Sequence, residues 1–126
     1  MKYFICPIDR ISLGIPADST LRIIAVNRSQ KAVYETEGED IYISLPVLFR
    51  QNNTSAPHGI VLKSEKTGNT VLLTPRVEID LEIPKESIQV LPEVFSPLFR
   101  YFKGVHFNEG NGILILNPES LMDVNI

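Results

Sequence analysis

One short stretch constrains this chain more than any other. Val77-Glu78-Ile79-Asp80-Leu81-Glu82-Ile83 alternates apolar and acidic residues without a break. Successive side chains of an extended strand point to opposite faces, so Val77, Ile79, Leu81 and Ile83 share one face and the three carboxylates share the other. The stretch predicts a half-buried strand whose acidic side is solvated. Shorter runs of the same kind occupy 2–6, 10–15, 21–26, 40–45, 59–63, 69–74, 101–107 and 112–116. Pro7-Ile8-Asp9, the polar loop 64–68 and Asn108-Glu109-Gly110-Asn111 read as hairpin turns. Helical pattern is scarce. Pro46–Arg50 is good for one or two turns with proline first, and Asn117 is an N-cap ahead of Pro118. Pro92–Phe99 has helical spacing that Pro97 interrupts. Closely spaced strands without crossover helices predict an all-β barrel or sandwich. The stretch Gln51–Pro57 is the most loop-like and the best internal boundary.

At 126 residues the chain is one domain, or at most two small subdomains sharing a core. With 44% hydrophobic and 21% charged residues it buries a core and is not a disordered chain. The net charge of −3 and the pI of about 5.3 argue against nucleic acid and against an anionic membrane surface as partners. Cys6 is the single cysteine, which excludes an intrachain disulfide and a cysteine-based metal cluster. The opening Met-Lys-Tyr-Phe-Ile-Cys-Pro lacks the apolar stretch of a signal peptide, and no run has the length of a membrane span. A cytoplasmic protein without direct membrane insertion is the expectation.

Chemistry-bearing residues are sparse. His58 and His106 have no metal-ligand partners at suitable spacing, and both read as structural or surface residues. Cys6 sits in the first strand, where a small buried hydrophobe is the plain reading. Neither a phosphate-binding loop nor a nucleophile elbow is present. Glu35, Glu37, Glu39 and Asp40 place four carboxylates in six residues, without the ligand order of a calcium loop. They read as a solvated hairpin tip, with a partner-facing patch as the alternative. No enzyme, cofactor or metal is expected. What remains is apolar surface. Arg22-Ile23-Ile24 and Leu72-Leu73 carry apolar groups on both strand faces, and Phe95, Phe99, Tyr101, Phe102 and Phe107 add bulk. Two cores account for these residues; a groove for a partner helix, or a sheet edge offered to another barrel, is the functional alternative.

The order of the segments resembles the CheW-like domain, the chemotaxis coupling module, over nearly the whole chain. Tyr3-Phe-Ile-Cys and Leu13-Gly14-Ile15-Pro16 look like its opening hairpin. Ile41-Tyr-Ile-Ser-Leu-Pro-Val-Leu-Phe49 is similar to its strand ending in Asp-Leu before a short helix. Val71-Leu-Leu-Thr-Pro-Arg-Val77 stands where the family has Gly-Leu-Val-Val-Asp-x-Val, and Leu81–Ile88 with Leu91-Pro92 look like the next strand, turn and exit. Most specific is Tyr101-Phe-Lys-Gly-Val followed by Gly112-Ile-Leu-Ile-Leu-Asn-Pro-Glu-Ser-Leu-Met122, similar to the family's Tyr-Ile-x-Gly-Val hairpin and its Leu-Asp-x-x-x-Leu-Leu end.

The resemblance implies two small five-stranded β-barrels like SH3 domains, packed side by side with a groove between them, and short helices after residue 45 and near the C-terminus. It implies a non-catalytic adaptor that couples the cytoplasmic tip of chemoreceptors to the regulatory domain of a histidine kinase. Departures from the pattern concern partners more than folding. Val33-Tyr-Glu-Thr-Glu-Gly38 replaces the family's Asn-Leu-Arg-Gly, so a basic side chain has become acidic. Ser44 replaces the aspartate of Asp-Leu, and Thr74-Pro75 replaces Val-Asp. Thr20 stands where an apolar residue is preferred, and Arg22 where glutamate is frequent. By position in the family's contact segments, Thr20, Arg22, Glu37 and Gly38 are the expected partner-binding residues, whereas Ile15, Leu45, Leu48 and Leu116 are expected in cores. The alternative expectation is a divergent structural or self-assembling module of a motility or signalling complex.

Overall fold

The computed structural model describes residues 1–64, 67–90 and 101–122, apart from the side chains of Ile79 and Asp80. The described elements are β1 (Lys2–Ile8), β2 (Ile11–Pro16), β3 (Thr20–Ala25), β4 (Tyr34–Glu37), β5 (Asp40–Ser44), α1 (Leu45–Leu48), β6 (His58–Leu62), β7 (Thr70–Thr74), β8 (Glu78–Glu82), β9 (Phe102–Asn108), β10 (Asn111–Leu116) and α2 (Pro118–Met122). They fall into two compact units, Met1–Asp18 with Glu78–Ile126, and Ser19–Val77. The loop 51–57, expected as an internal boundary, lies inside the second unit between α1 and β6; the chain changes unit near residues 18–19 and 77–78. The helical pattern over Pro92–Phe99 lies outside the described residues.

The first unit is a curled five-stranded sheet in the order β8-β1-β2-β10-β9. Its β2 and β10 run parallel, with Leu13 beside Leu114, and its other pairs are antiparallel. Tyr3, Ile5, Ile83, Ile113 and Ile115 form its apolar cluster, with Leu81 and Ile88 packed against them. The alternation around β8 is realised: Glu78 and Glu82 are exposed, Leu81 is half-buried and Ile83 is buried. The expected turn at Pro7-Ile8-Asp9 is displaced to Asp9-Arg10, because β1 continues to Ile8. Pro7 is tolerated in a strand because pairing with β8 ends at Ile5, and no neighbour on that side needs its missing N–H. The β9–β10 hairpin closes through Glu109-Gly110, both with positive φ as a type I′ turn requires. Pro118 opens α2 directly after Asn117, as expected.

The second unit is a curled five-stranded sheet in the order β3-β6-β7-β5-β4. Here β5 and β7 are the parallel pair. Ala56, Val61, Val71 and Leu73 cluster, and Ile24, Val26 and Tyr42 pack against them. Every residue of β7 is buried, as are the consecutive residues Gly59 to Leu62 of β6, so these central strands carry burial on both faces. Ser44 caps α1: its Oγ accepts from Val47 N at 3.2 Å. Serine thus does there what aspartate does at an N-cap, which explains why that departure leaves the helix intact. Of the expected core residues, Ile15, Leu45 and Leu116 are fully buried, while Leu48 is half-buried. Strand β4 was not legible as a strand. Tyr34-Glu-Thr-Glu carries one apolar residue and no buried face, and its backbone pairing with β5 is what makes it extended. Among the described residues no helix is long and apolar enough to cross a membrane.

Candidate partner-binding surface

Thr20 and Arg22 lie on β3, and Glu37 and Gly38 lie at the end of β4 and in the turn after it. These two strands are the opposite edges of the second sheet's hydrogen-bonded order. The four residues therefore form two patches along the ladder, one per edge.

Among the described residues strand β3 pairs only with β6, and its register slips between Thr20 and Arg22. Ile24 turns inward to the unit's apolar cluster. Leu21 and Ile23 stay 54% and 40% exposed on either side of the exposed Arg22. The other sheet edges are guarded differently. Glu78 and Glu82 line β8, and Glu35 and Glu37 occupy β4. On β9, Val105 exchanges two 2.8 Å backbone hydrogen bonds with Gln89. Charges and covering segments are the usual devices against edge pairing, and β3 carries apolar side chains with one cation instead. Exposed Leu and Ile on a sheet edge make β3 the most adhesive of these edges.

At the other edge, Glu37 pairs with Asp40 across the two-residue turn Gly38-Glu39. Gly38 has φ +64, a left-handed conformation at the first turn position that fits a type II′ hairpin and strains any residue with a Cβ. The tip is a hairpin exposed at Glu37, Gly38 and Glu39, as the sequence predicts, but the carboxylates of Glu35, Glu37 and Asp40 also have partners within the protein. Glu35 Oε2 accepts from the backbone N–H of Lys31 and Ala32 at 3.0 and 3.1 Å. Arg28 Nη1 donates to Glu37 Oε2 at 2.7 Å, and Nη2 lies 3.7 Å from Glu35 Oε1. The same guanidinium covers the Tyr42 ring at 4.1 Å from its centroid. Its Nε donates to Gln30 Oε1 at 3.3 Å. Gln30 is 5% exposed, and its Nε2 lies within 3.1 Å of the carbonyls of Ala32, Val33 and Tyr42, so one of its two hydrogens is shared. Asp40 Oδ1 accepts from Asn69 N at 2.9 Å. A cleft of about 390 Å³ opens beside Arg28 and Gln30, bounded by 26–30 and 54–57. Arg28 and Gln30 were missed in the sequence because a loop has no period to read.

Groups that could do chemistry are arranged for structure. His106 Nδ1 lies 3.0 Å from Ser87 Oγ, and Ser87 Oγ lies 2.7 Å from Pro84 O. A serine has one hydroxyl hydrogen. With that hydrogen on the Pro84 carbonyl, Ser87 Oγ accepts from the imidazole, so His106 carries its proton on Nδ1. An activated nucleophile needs the opposite polarity, with the hydroxyl proton directed at the base. A cleft of about 340 Å³ in the first unit has Glu78 and Glu109 at its edge, both exposed to water rather than buried as a tuned acid-base pair requires. His58 is exposed at the start of β6, and Cys6 is buried. Among the described residues no group of three or more His, Cys, Asp or Glu could hold a metal ion.

No protein-family model matches the sequence, and no curated protein matches it either. Solved structures do. The chain superimposes on the crystal structure of the scaffolding protein TtCheW from Thermoanaerobacter tengcongensis with a TM-score of 0.76 and 16% sequence identity, over 98% of this chain and 93% of that one. Two five-stranded curled sheets, each with one parallel pair, and a likeness spanning both chains almost completely give one conclusion: this protein has the CheW-like fold, in a strongly diverged sequence.

Proposed function

We propose that the chain is a non-catalytic signalling adaptor of bacterial chemotaxis, coupling chemoreceptors to a histidine kinase through protein–protein contacts in the cytoplasm. The observation that carries this reading is the likeness to a scaffolding protein over nearly the full length of both chains. The surface agrees with it. Exposed apolar side chains on an edge strand suit a protein partner, and the Ser87–His106 polarity is that of a structural contact. Thr20 and Arg22 on β3, with Glu37 and Gly38 at the β4–β5 turn, are the proposed partner-binding residues. The partners are the regulatory domain of a histidine kinase and the cytoplasmic tip of a chemoreceptor.

The test is titration of the full chain with those two fragments from the same organism, followed by calorimetry. Saturable binding to at least one is expected, and Arg22→Glu weakens it. Absence of binding to both overturns the proposal. The exposed Leu21, Ile23 and Phe107 also favour a second reading, a structural or self-assembling module. Light scattering separates the two: a stable homo-oligomer with no affinity for kinase or receptor supports the second.

A further inference from the structure

Arg28 gathers several partners on the second unit's surface. One guanidinium meets Glu37, Glu35, Gln30 and the face of Tyr42, and its side chain is left 19% exposed. Gln30, nearly fully buried and tied to three backbone carbonyls, fixes the orientation in which Arg28 Nε points. The fork thus arrives at the carboxylates from a rigid base. Glu35 is engaged twice more by backbone N–H groups, and Asp40 once. Among the described residues Glu39 is the one carboxylate of the four with neither an ion pair nor a hydrogen bond. Four acidic residues in six therefore do not present four negative charges.

We propose that Arg28 is the specificity-determining residue of the β4–β5 turn: its one positive charge offsets part of the charge of Glu35 and Glu37, so that this edge meets a partner as a less acidic surface and holds basic ones less strongly. A surface potential is set by the sum of its charges, and a basic partner gains more from this turn when the guanidinium is removed. The place of this turn in kinase or receptor binding rests on the function proposed above; the charge masking does not.

The experiment uses the full chain and an oligolysine peptide as a probe of surface charge, in low salt. Arg28→Gln is expected to tighten oligolysine binding about two- to fivefold, the worth of one exposed ion pair. Glu37→Gln is expected to weaken it. Lys103→Gln, at an exposed residue of β9, makes the same change in net charge and is expected to do less than Arg28→Gln. Amide shifts on peptide addition should map to 35–39 in the Arg28→Gln chain. Equal effects of Arg28→Gln and Lys103→Gln, or shifts that avoid 35–39, overturn the proposal. With the kinase and receptor fragments, Arg28→Gln should change affinity and the double change with Glu37→Gln should restore it. Fragments that bind neither chain sink the adaptor reading and leave the oligolysine result standing.

Discussion

Tyr3 lies in the apolar cluster of the first unit, buried as a residue. Burial raises its pKa above the ordinary 10.0, and the charge of Asp18 raises it further. In the unfolded chain the phenol ionises near pH 10, while in the folded chain it holds its proton to higher pH. Folding then binds more protons than unfolding, so stability is intact below pH 10 and falls as pH rises through the folded value. Urea midpoints between pH 9 and 12 should show this loss in the native chain and a shallower one in Tyr3→Phe. Gly68 illustrates a different constraint at the same scale. A Cβ placed there would overlap the Glu39 carbonyl oxygen. Gly68→Ala must move the Gly38–Glu39 turn, and faster amide exchange at residues 38–40 is the measurement. Neither consequence was legible beforehand. A tyrosine in an apolar run announces burial but not the carboxylate beside it, and a loop glycine does not announce which backbone it touches.

At the scale of elements, β3 and β9 are edges managed in opposite ways. Strand β9 is bridged by Gln89, and Gly104 makes the approach possible, because a Cβ there would overlap the Gln89 carbonyl oxygen. Gly104→Ala should cost about 1–3 kcal/mol through this overpacking, read from urea denaturation. Among the described residues strand β3 has no such cover, and Ile23→Lys should cost less than about 0.5 kcal/mol because the side chain is exposed. The same change should weaken binding of the kinase or receptor fragment by tenfold or more in calorimetry if β3 is the docking edge. Sequence and structure part at particular elements. Residues 77–83 were readable because period two shows directly when one face is buried. Strand β4 was not, since an edge strand with no buried face has no alternation, and its pairing with β5 was hidden with it. The run Arg22-Ile23-Ile24 was ambiguous for a related reason: apolar side chains on both faces do not say which face a neighbour will cover.

At the scale of the molecule, the first unit is assembled from the two ends of the chain around the parallel β2–β10 pair, and the second unit is formed by the residues between. Pairing so distant in sequence makes closure of the first sheet costly in chain entropy and its folding slow. Ile115 is fully buried in that sheet. Ile115→Ala should destabilise the protein by about 2–5 kcal/mol, and amide exchange should rise in β1 and β2 as well as in β10, since β1 shares its cluster and β2 pairs with it. The sequence alone settled what depends on neighbouring residues: extended segments, hairpin turns and the proline that opens α2, because alternation, positive-φ turns and capping are local stereochemistry. Tertiary structure alone decided the two parallel pairings, the strand character of β4 and the gathering of Gln30, Arg28 and Tyr42 around the carboxylates. Those outcomes depend on which distant backbone and which loop side chain supply the hydrogen bonds, and no periodicity along the chain records that.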